Sequence, residues 1–284
     1  MSVQTLGLLA NPRHIQRSEG LFEEIARMCR RIDIRLIAMS ELAQTLPTVE
    51  AMPVEAILGW ADVLLIAGGD GTILHAAALA ARKSVPVLGL HTGTIGFFSE
   101  ITLDELEPAL RALSEGTFSL ETRMMLEMTL DNEHALALND VVISRGSFAR
   151  MIHVDAWSGD TLVGGYDGDG LIVSSPTGST GYSLSTGGAI IYPSLPCILL
   201  SPICAHSLQS RQILLPDDAV VRLEASCPAD GGGMLLTVDG HAPLTLTHTV
   251  VVTVARARQE LQFVRLRPYP FFERLRTKLS QWNR

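Results

Sequence analysis

Short apolar runs alternating with one-sided apolar segments dominate the first part of the chain. Strand-like runs fall at Thr5 to Leu9, Ile34 to Ala38, Val63 to Ala67 and Val85 to Leu90. Between them Leu21, Ile25 and Met28 recur at offsets of four and three, and Leu74, Ala77, Ala78 and Ala81 do much the same. That spacing predicts helices with one apolar face. Apolar strands alternating with such helices read as an α/β domain with a mainly parallel sheet. Thr102, with Glu105 three residues on, forms a capping box that opens a helix through Leu103, Leu106, Ala109, Leu110 and Leu113, and Gly116 stops it.

After Phe118 the pattern changes to alternation: Met124, Leu126, Met128 and Leu130, then Val141 and Ile143, then Ile152 and Val154. Later apolar runs follow at Val220 to Leu223, Met234 to Val238 and Thr247 to Ala255. Many short strands joined by Gly and Pro turns predict a predominantly β second domain, with one short helix around Tyr182 to Ser185. From Tyr269 to Leu279 the pattern is that of an amphipathic helix whose Phe271, Phe272, Leu275 and Leu279 need a dock that periodicity does not name. The expected segments are 1–118, 119–267 and 268–284.

Composition narrows the class. The chain has 284 residues, 47% hydrophobic and 18% charged, enough to bury a sizeable core and too apolar for disorder. The first apolar stretch ends at Asn11 and Pro12, short of a signal-peptide or membrane-spanning length, so no stable membrane association is expected. Cys29, Cys197, Cys204 and Cys227 are widely spread without a C-x-x-C, which suits a reducing cytoplasm. A net charge of −8 disfavours nucleic acid, but from Arg256 onward eight basic residues face two acidic ones. That basic tail can meet phosphates or turn inward onto the acidic body.

The sharpest local signal is Leu65-Ile66-Ala67-Gly68-Gly69-Asp70-Gly71-Thr72, an apolar strand running through glycines into a helix. Without side chains at 68, 69 and 71 the turn can be tight, and its N–H groups can approach an anion at the helix N-terminus. Asp70 then stands at the carboxyl end of a strand, where open α/β sheets place ligands. A phosphate beside that acid implies Mg²⁺, a proton taken from a hydroxyl, or both. The competing reading is an ordinary turn in which Asp70 caps the helix.

Neither G-x-x-x-x-G-K-[ST] nor a G-x-G-x-x-G after the first strand is present, so a nucleotide would need another cradle. Asp169 to Ser183 supplies one: an apolar strand delivers hydroxyls and glycines suited to phosphate or ribose oxygens, and Tyr182 adds a ring face and an O–H. A serine nucleophile is the rival there, but no G-x-S-x-G elbow exists. Asn139-Asp140 places an amide beside a carboxylate, a pair suited to two sugar hydroxyls or, equally, to a bulge. Asp239-Gly240-His241 reads first as a hairpin turn. Cys204 and His206 lack a second pair for zinc, Leu171 breaks the calcium spacing after Asp167 and Asp169, and Met124, Met125 and Met128 read as core filler. His75 lies beside the glycine turn in an alanine-rich helix, where satisfied packing competes with catalysis.

Taken in order, these motifs resemble the bacterial NAD kinase family across nearly the entire chain. The matching stretches are Gly68 to Thr72, Gly89 to Phe98, Arg123 to Leu126, Asn139-Asp140, Asp169 to Tyr182, Pro202 to Leu208 with Arg211, Asp239-Gly240 and the closing Phe271 to Leu279. Lipid and sphingoid-base kinases share only the glycine motif, and a non-catalytic dinucleotide sensor would be expected to lack the acid.

The resemblance implies transfer of the γ-phosphoryl of ATP, or in some relatives of another triphosphate or polyphosphate, to the 2′-hydroxyl of the adenosine ribose of NAD. It also implies Mg²⁺ or another divalent cation held mainly by the ATP phosphates, a homodimer or homotetramer, and a C-terminal segment returning to the first domain. Asp70 takes the catalytic role in this resemblance, with Gly68, Gly69, Gly71, Thr72, His75, His91 and Phe97 as binding candidates around it. Asn139 and Asp140 fall on the ribose-contacting pair, and Asp169 on the aspartate near the nicotinamide. Thr180, Gly181, Tyr182 and Ser185 line the same site, and Asp239 is a further site aspartate near the adenosine.

Three positions depart from the family pattern. Asp140 stands for glutamate with about 1.5 Å less reach. His91 stands for asparagine and Gly181 for alanine. These bear on dinucleotide preference and affinity more than on the reaction.

Overall fold

The computed structural model describes residues 2–11, 19–92, 96–146, 150–207, 210–228 and 232–282. It divides into two compact units, 1–122 with 261–284 and 123–260.

Unit 1 is built on five parallel strands in the order β3-β2-β1-β4-β5: β1 (Thr5–Ala10), β2 (Arg35–Met39), β3 (Glu50–Met52), β4 (Val63–Ala67) and β5 (Val87–Leu90). Every residue of β4 and β5 is buried, as a parallel sheet covered on both faces requires. The covering helices are α1 (Glu19–Arg31), the short α2 (Val54–Ile57), α3 (Asp70–Lys83) and α4 (Leu106–Glu115). The capping box at Thr102 and Glu105 precedes α4, whose C-cap Gly116 takes a φ of 74°. Burial on α1 centres on Phe22, Ile25, Ala26 and Cys29, and on α3 on Ile73, Ala76, Ala77, Ala80 and Ala81. Both faces are rotated about one residue from the expected ones, because alanine-rich or mixed helices offer apolar residues on several sides and the sheet chooses among them. β3 escapes the hydrophobic pattern because it has three residues and no apolar alternation.

Unit 2 is antiparallel. The chain passes through β6 (Ser119–Leu130), β7 (Glu133–Ala137), β8 (Asp140–Arg145), β9 (Ile152–Ser158), β10 (Thr161–Gly168) and β11 (Gly170–Ser174) to a four-residue helix, α5 (Tyr182–Ser185). It continues through β12 (Cys197–Ile203), β13 (Ile213–Pro216), β14 (Val221–Ser226), β15 (Met234–Val238), β16 (Leu244–Leu246) and the long β17 (Val250–Arg265). One sheet runs β13-β12-β11-β8-β15-β16, and β9 pairs with β10 and β14 in another. Alternate residues of these strands, among them Val141, Ile143, Val154, Ala156, Leu171, Leu223 and Val252, form one buried cluster.

The last helix, α6 (Phe271–Trp282), buries Phe271, Arg274 and Leu275 in unit 1. Phe272 and Leu279, expected to dock, are exposed. With about 100° between successive residues, 271, 274 and 275 share the inner face while 272 and 279 point away from it. The basic C-terminal residues pair with carboxylates, Arg265 in the interior with Glu100 at 2.8 Å, and at the surface Arg267 with Glu105 at 2.8 Å and Arg256 with Asp217 and Glu260. Among the described residues no helix is long and apolar enough to cross a membrane.

Candidate active site

In unit 1, β4 ends at Ala67 and α3 begins at Asp70, so the glycine motif is the turn between a buried strand and its helix. None of Gly68, Gly69 and Gly71 has a positive φ; their smallness matters instead. A Cβ on Gly68 would lie 2.5 Å from the Thr72 hydroxyl oxygen, whereas Gly69 and Gly71 meet nothing within 4 Å and leave an open face beside Asp70. Asp70 does not cap its own helix. Its carboxylate instead accepts the backbone N–H of Phe97 at 2.9 Å and of Phe98 at 3.1 Å, one on each oxygen. A Cβ on Gly96 would lie 1.9 Å from Asp70 Oδ1, so the carboxylate rests directly on that glycine.

The loop carrying those amides is held from its other side. Arg274 donates to the carbonyls of Gly96 at 3.1 Å, Phe97 at 3.4 Å and Ser99, and the Tyr269 hydroxyl donates to Phe97 O at 2.9 Å. Phe98 stacks on Phe263 with ring centroids 5.7 Å apart.

His91, at the end of β5, has its pKa lowered, first by burial and then by the Lys278 and Arg274 charges, against the opposing pull of Asp70. It is therefore neutral at neutral pH and, like an amide, offers one donor and one acceptor. Its Nδ1 is buried without a hydrogen-bond partner among the described residues. Thr72 and His75 line a cavity of about 830 Å³ whose walls include Ala10 at the end of β1, Asn11 just beyond it, Ser40 and Glu41 after β2, and Val54 of α2. The cavity thus lies at the carboxyl ends of the strands, where strand order turns back between β1 and β4.

Unit 2 brings together a second set. Asn139 and Asp140 sit where the chain enters β8, and Asp239 lies in the β15–β16 hairpin turn at a φ of 52° with Gly240 at 68°. The hairpin reading holds, and the turn does more. The Asp239 carboxylate accepts the backbone N–H of Leu138 at 2.7 Å, Asn139 at 2.7 Å and Asp140 at 3.1 Å. Burial raises the pKa of Asp239 while those three donors pull it back. Burial, together with the neighbouring Asp239, pushes Asp140 up to about 7.

The Asn139 side-chain oxygen is buried with no partner among the described residues. A Cβ on Gly181 would stand 3.6 Å from Asn139 Nδ2 and 3.8 Å from Asp140 Oδ2, so the pair and this glycine share one pocket wall. Asp169 pairs with Arg145 at 3.1 Å, a partner the sequence did not single out. Gly170, at a φ of 156° and with only 2.2 Å between a would-be Cβ and Ile143 O, lets β11 approach β8 closely enough for that pairing. Burial, followed by the charges of Cys204, Asp169 and Asp140, raises the pKa of the half-exposed Tyr182 phenol.

The hydroxyl run is used differently from the sequence reading. Ser175 bonds Leu138 O, Ser179 bonds Pro176 O, Thr180 bonds Thr177 O, and Ser183 bonds Ser201. These groups hold the loop together instead of facing an anion. Thr180 and Gly181 are half-buried, and Ser185 is exposed at the end of α5. Within the motif stretches, Gly93, Thr94, Ile95 and Leu208 lie outside the described residues.

The family model described as the ATP-NAD kinase N-terminal domain matches residues 6–118, and that of the ATP-NAD kinase C-terminal domain matches residues 138–266. An NAD kinase of Moorella thermoacetica is 38% identical over 98% of this chain and 90% of its own length. One of Geotalea daltonii is 35% identical over 95% and 96%. Among solved structures, the yeast NADH kinase complexed with NADH superposes with a TM-score of 0.88 at 25% identity, covering all of this chain and 89% of that one. An Archaeoglobus fulgidus NAD kinase in complex with ATP shares the fold, with a TM-score of 0.76 at 20% identity over 97% of each chain. A strand-end aspartate clamped by loop amides, an amide–carboxylate pair at the mouth of β8, and matches that span both units together make this chain a member of the ATP-NAD kinase family.

Proposed function

We propose that this chain transfers the γ-phosphoryl of ATP to the 2′-hydroxyl of the adenosine ribose of NAD, with Asp70 accepting or orienting the hydroxyl proton. The observation that carries the assignment of Asp70 is its engagement by the Phe97 and Phe98 amides instead of by its own helix. A helix-capping acid would be spent on α3; this one is oriented by a separate loop, with glycine-cleared space beside it. To act as a base it needs the acceptor hydroxyl within about 2.6–3.2 Å. The cavity lined by Thr72 and His75 suits the donor nucleotide in size and position.

Asn139 and Asp140 are assigned to ribose hydroxyls of NAD, the unpartnered Asn139 oxygen and the buried carboxylate supplying acceptors for two O–H donors. Asp239 serves beneath them as the clamp on their backbone. Asp169 is assigned to the nicotinamide end, with Thr180, Gly181, Tyr182 and Ser185 beside it. The described residues contain no group of three or more His, Cys, Asp or Glu able to hold a metal. Mg²⁺ keeps several waters and binds mainly through phosphates with one or two carboxylates. When bound, the ion neutralises triphosphate charge; on this chain Asp70 is the carboxylate placed to share it.

A homodimer or homotetramer belongs to the same proposal, to be measured by light scattering. Free thiols at all four cysteines suit a cytoplasmic setting. The activity test incubates the protein with Mg-ATP and, separately, NAD, NADH and sphingosine. NADP from NAD is the expected product; phosphorylated sphingosine alone would reassign the enzyme.

Asp140 yields two further expectations. Asp140→Ala should raise the KM for NAD by about 10-fold with a smaller change in kcat, since leaving a buried ribose hydroxyl without its partner costs about 1–3 kcal/mol. An unchanged KM removes Asp140 from the ribose contact. Its folded-state pKa of about 7 lies above the unfolded value of 3.8, so the native state holds a proton that the unfolded chain releases. Stability from this group is therefore lost as pH rises from about 4 to about 7. Asp140→Asn should gain Tm relative to the parent more at pH 8 than at pH 5, and thermal melts at the two pH values read the difference.

A further inference from the structure

We propose that Arg274, on the C-terminal helix, is a positioning residue for Asp70, acting through the loop of Gly96 to Ser99. This rests on the assignment of Asp70 as the catalytic group and adds the device that orients it. The loop is gripped on its two sides by opposite chemistry. Its N–H groups at Phe97 and Phe98 point to the Asp70 carboxylate. Its carbonyls at Gly96, Phe97 and Ser99 converge on one guanidinium nitrogen, Arg274 Nη1. A peptide group whose carbonyl is held by a cation presents its N–H in a fixed direction, and charge-assisted hydrogen bonds are the stronger kind. Two successive peptide groups show this: the one joining Gly96 to Phe97 has its carbonyl on Arg274 at 3.1 Å and its N–H on Asp70, and the one joining Phe97 to Phe98 has its carbonyl on Tyr269 Oη at 2.9 Å and Arg274 at 3.4 Å and its N–H on Asp70.

Arg274 is itself fixed. It is 9% exposed, lies over the Tyr269 ring at 5.2 Å and stands 3.9 Å from Glu100. Glu100 has its own closer partner in Arg265 at 2.8 Å. Removing Arg274 therefore leaves the buried Arg265–Glu100 pair in place, and the cation is not required to neutralise that acid. Its hydrogen bonds go to backbone carbonyls of the loop whose amides bond Asp70. Thr72 and His75 sit on the first turns of α3, the helix that follows β4.

The test compares Arg274→Ala, Arg274→Lys, Tyr269→Phe and, as a control on the exposed face of the same helix, Arg276→Ala. For Arg274→Ala, kcat should fall by about 10-fold or more, as small misplacements of a reacting group do, with KM for NAD and ATP within about twofold of the parent. Hydrogen exchange at the Phe97 and Phe98 amides should quicken without any nucleotide present. Added guanidinium should recover part of kcat in the alanine variant, and lysine, a single-headed donor, should recover less than arginine supplies. Tyr269→Phe, which removes one hydroxyl, should show a loss of about threefold with the same kcat-only character. A folded Arg274→Ala enzyme with kcat within about twofold of the parent, or a loss confined to KM, overturns the proposal. Should that variant not fold, unchanged kcat in Tyr269→Phe overturns it. If the parent enzyme itself makes no NADP, the failure lies in the assigned activity, while the exchange measurement still reports on the grip.

Discussion

Asp70→Asn should lower turnover by about 100-fold or more while leaving NAD binding near normal. The amide has lost the basic oxygen that takes or orients the acceptor proton, yet it keeps the size of the parent side chain. The structure adds a second consequence. Each carboxylate oxygen of Asp70 accepts one loop amide, so the asparagine NH2 must face either Phe97 N–H or Phe98 N–H, donor against donor. That mismatch costs about 1–3 kcal/mol and should appear as a modest fall in Tm. Steady-state kinetics with purified protein, beside titration of NAD and a melting curve, separate the two effects. Turnover within a few-fold of the parent would remove Asp70 from the reaction centre.

Gly96→Ala should be nearly as damaging, by about 100-fold in kcat, although position 96 carries no functional group. The added methyl would lie 1.9 Å from Asp70 Oδ1 and 2.5 Å from its carboxyl carbon, distances no real contact sustains. Either the carboxylate rotates out of the amide pair or the loop retreats and takes its N–H groups along. Both displace the acid, and the retreat is opposed by Arg274, which holds the carbonyls of Gly96, Phe97 and Ser99. The expected signature is a loss in kcat, with KM for NAD little changed because Asn139 and Asp140 belong to unit 2. A fully active Gly96→Ala enzyme would show that the carboxylate does not need its observed place.

Much of this site is legible in the chain itself. Gly68 to Thr72 announces a strand-end acid because an apolar run, small residues and one carboxylate occur in a fixed order, and local sequence alone dictates that turn. The same holds for the Thr102–Glu105 capping box and for the Asp239-Gly240 hairpin, each made by residues within a few positions of one another. The hydroxyl run from Ser174 to Ser183 was legible as a loop but not in its use: whether a serine faces a ligand or its own carbonyls depends on where the backbone folds back. The apolar face of α3 lies one residue away from the one the hydrophobic pattern indicates, because alanines on all sides leave that pattern without a preference.

What the amino-acid order determines, then, is the set of elements, the turn chemistry and the acids at their ends, because these follow from neighbours along the chain. Only the tertiary structure decides that Asp70 answers to Phe97 and Phe98, that Asp239 clamps the backbone of 138–140, that Arg145 faces Asp169 and that Arg274 grips a loop 175 to 178 residues away. The helical pattern at the C-terminus asks for a dock without naming it. Hydrogen bonds are satisfied in space, and partners that distant leave no periodic trace for a sequence to show.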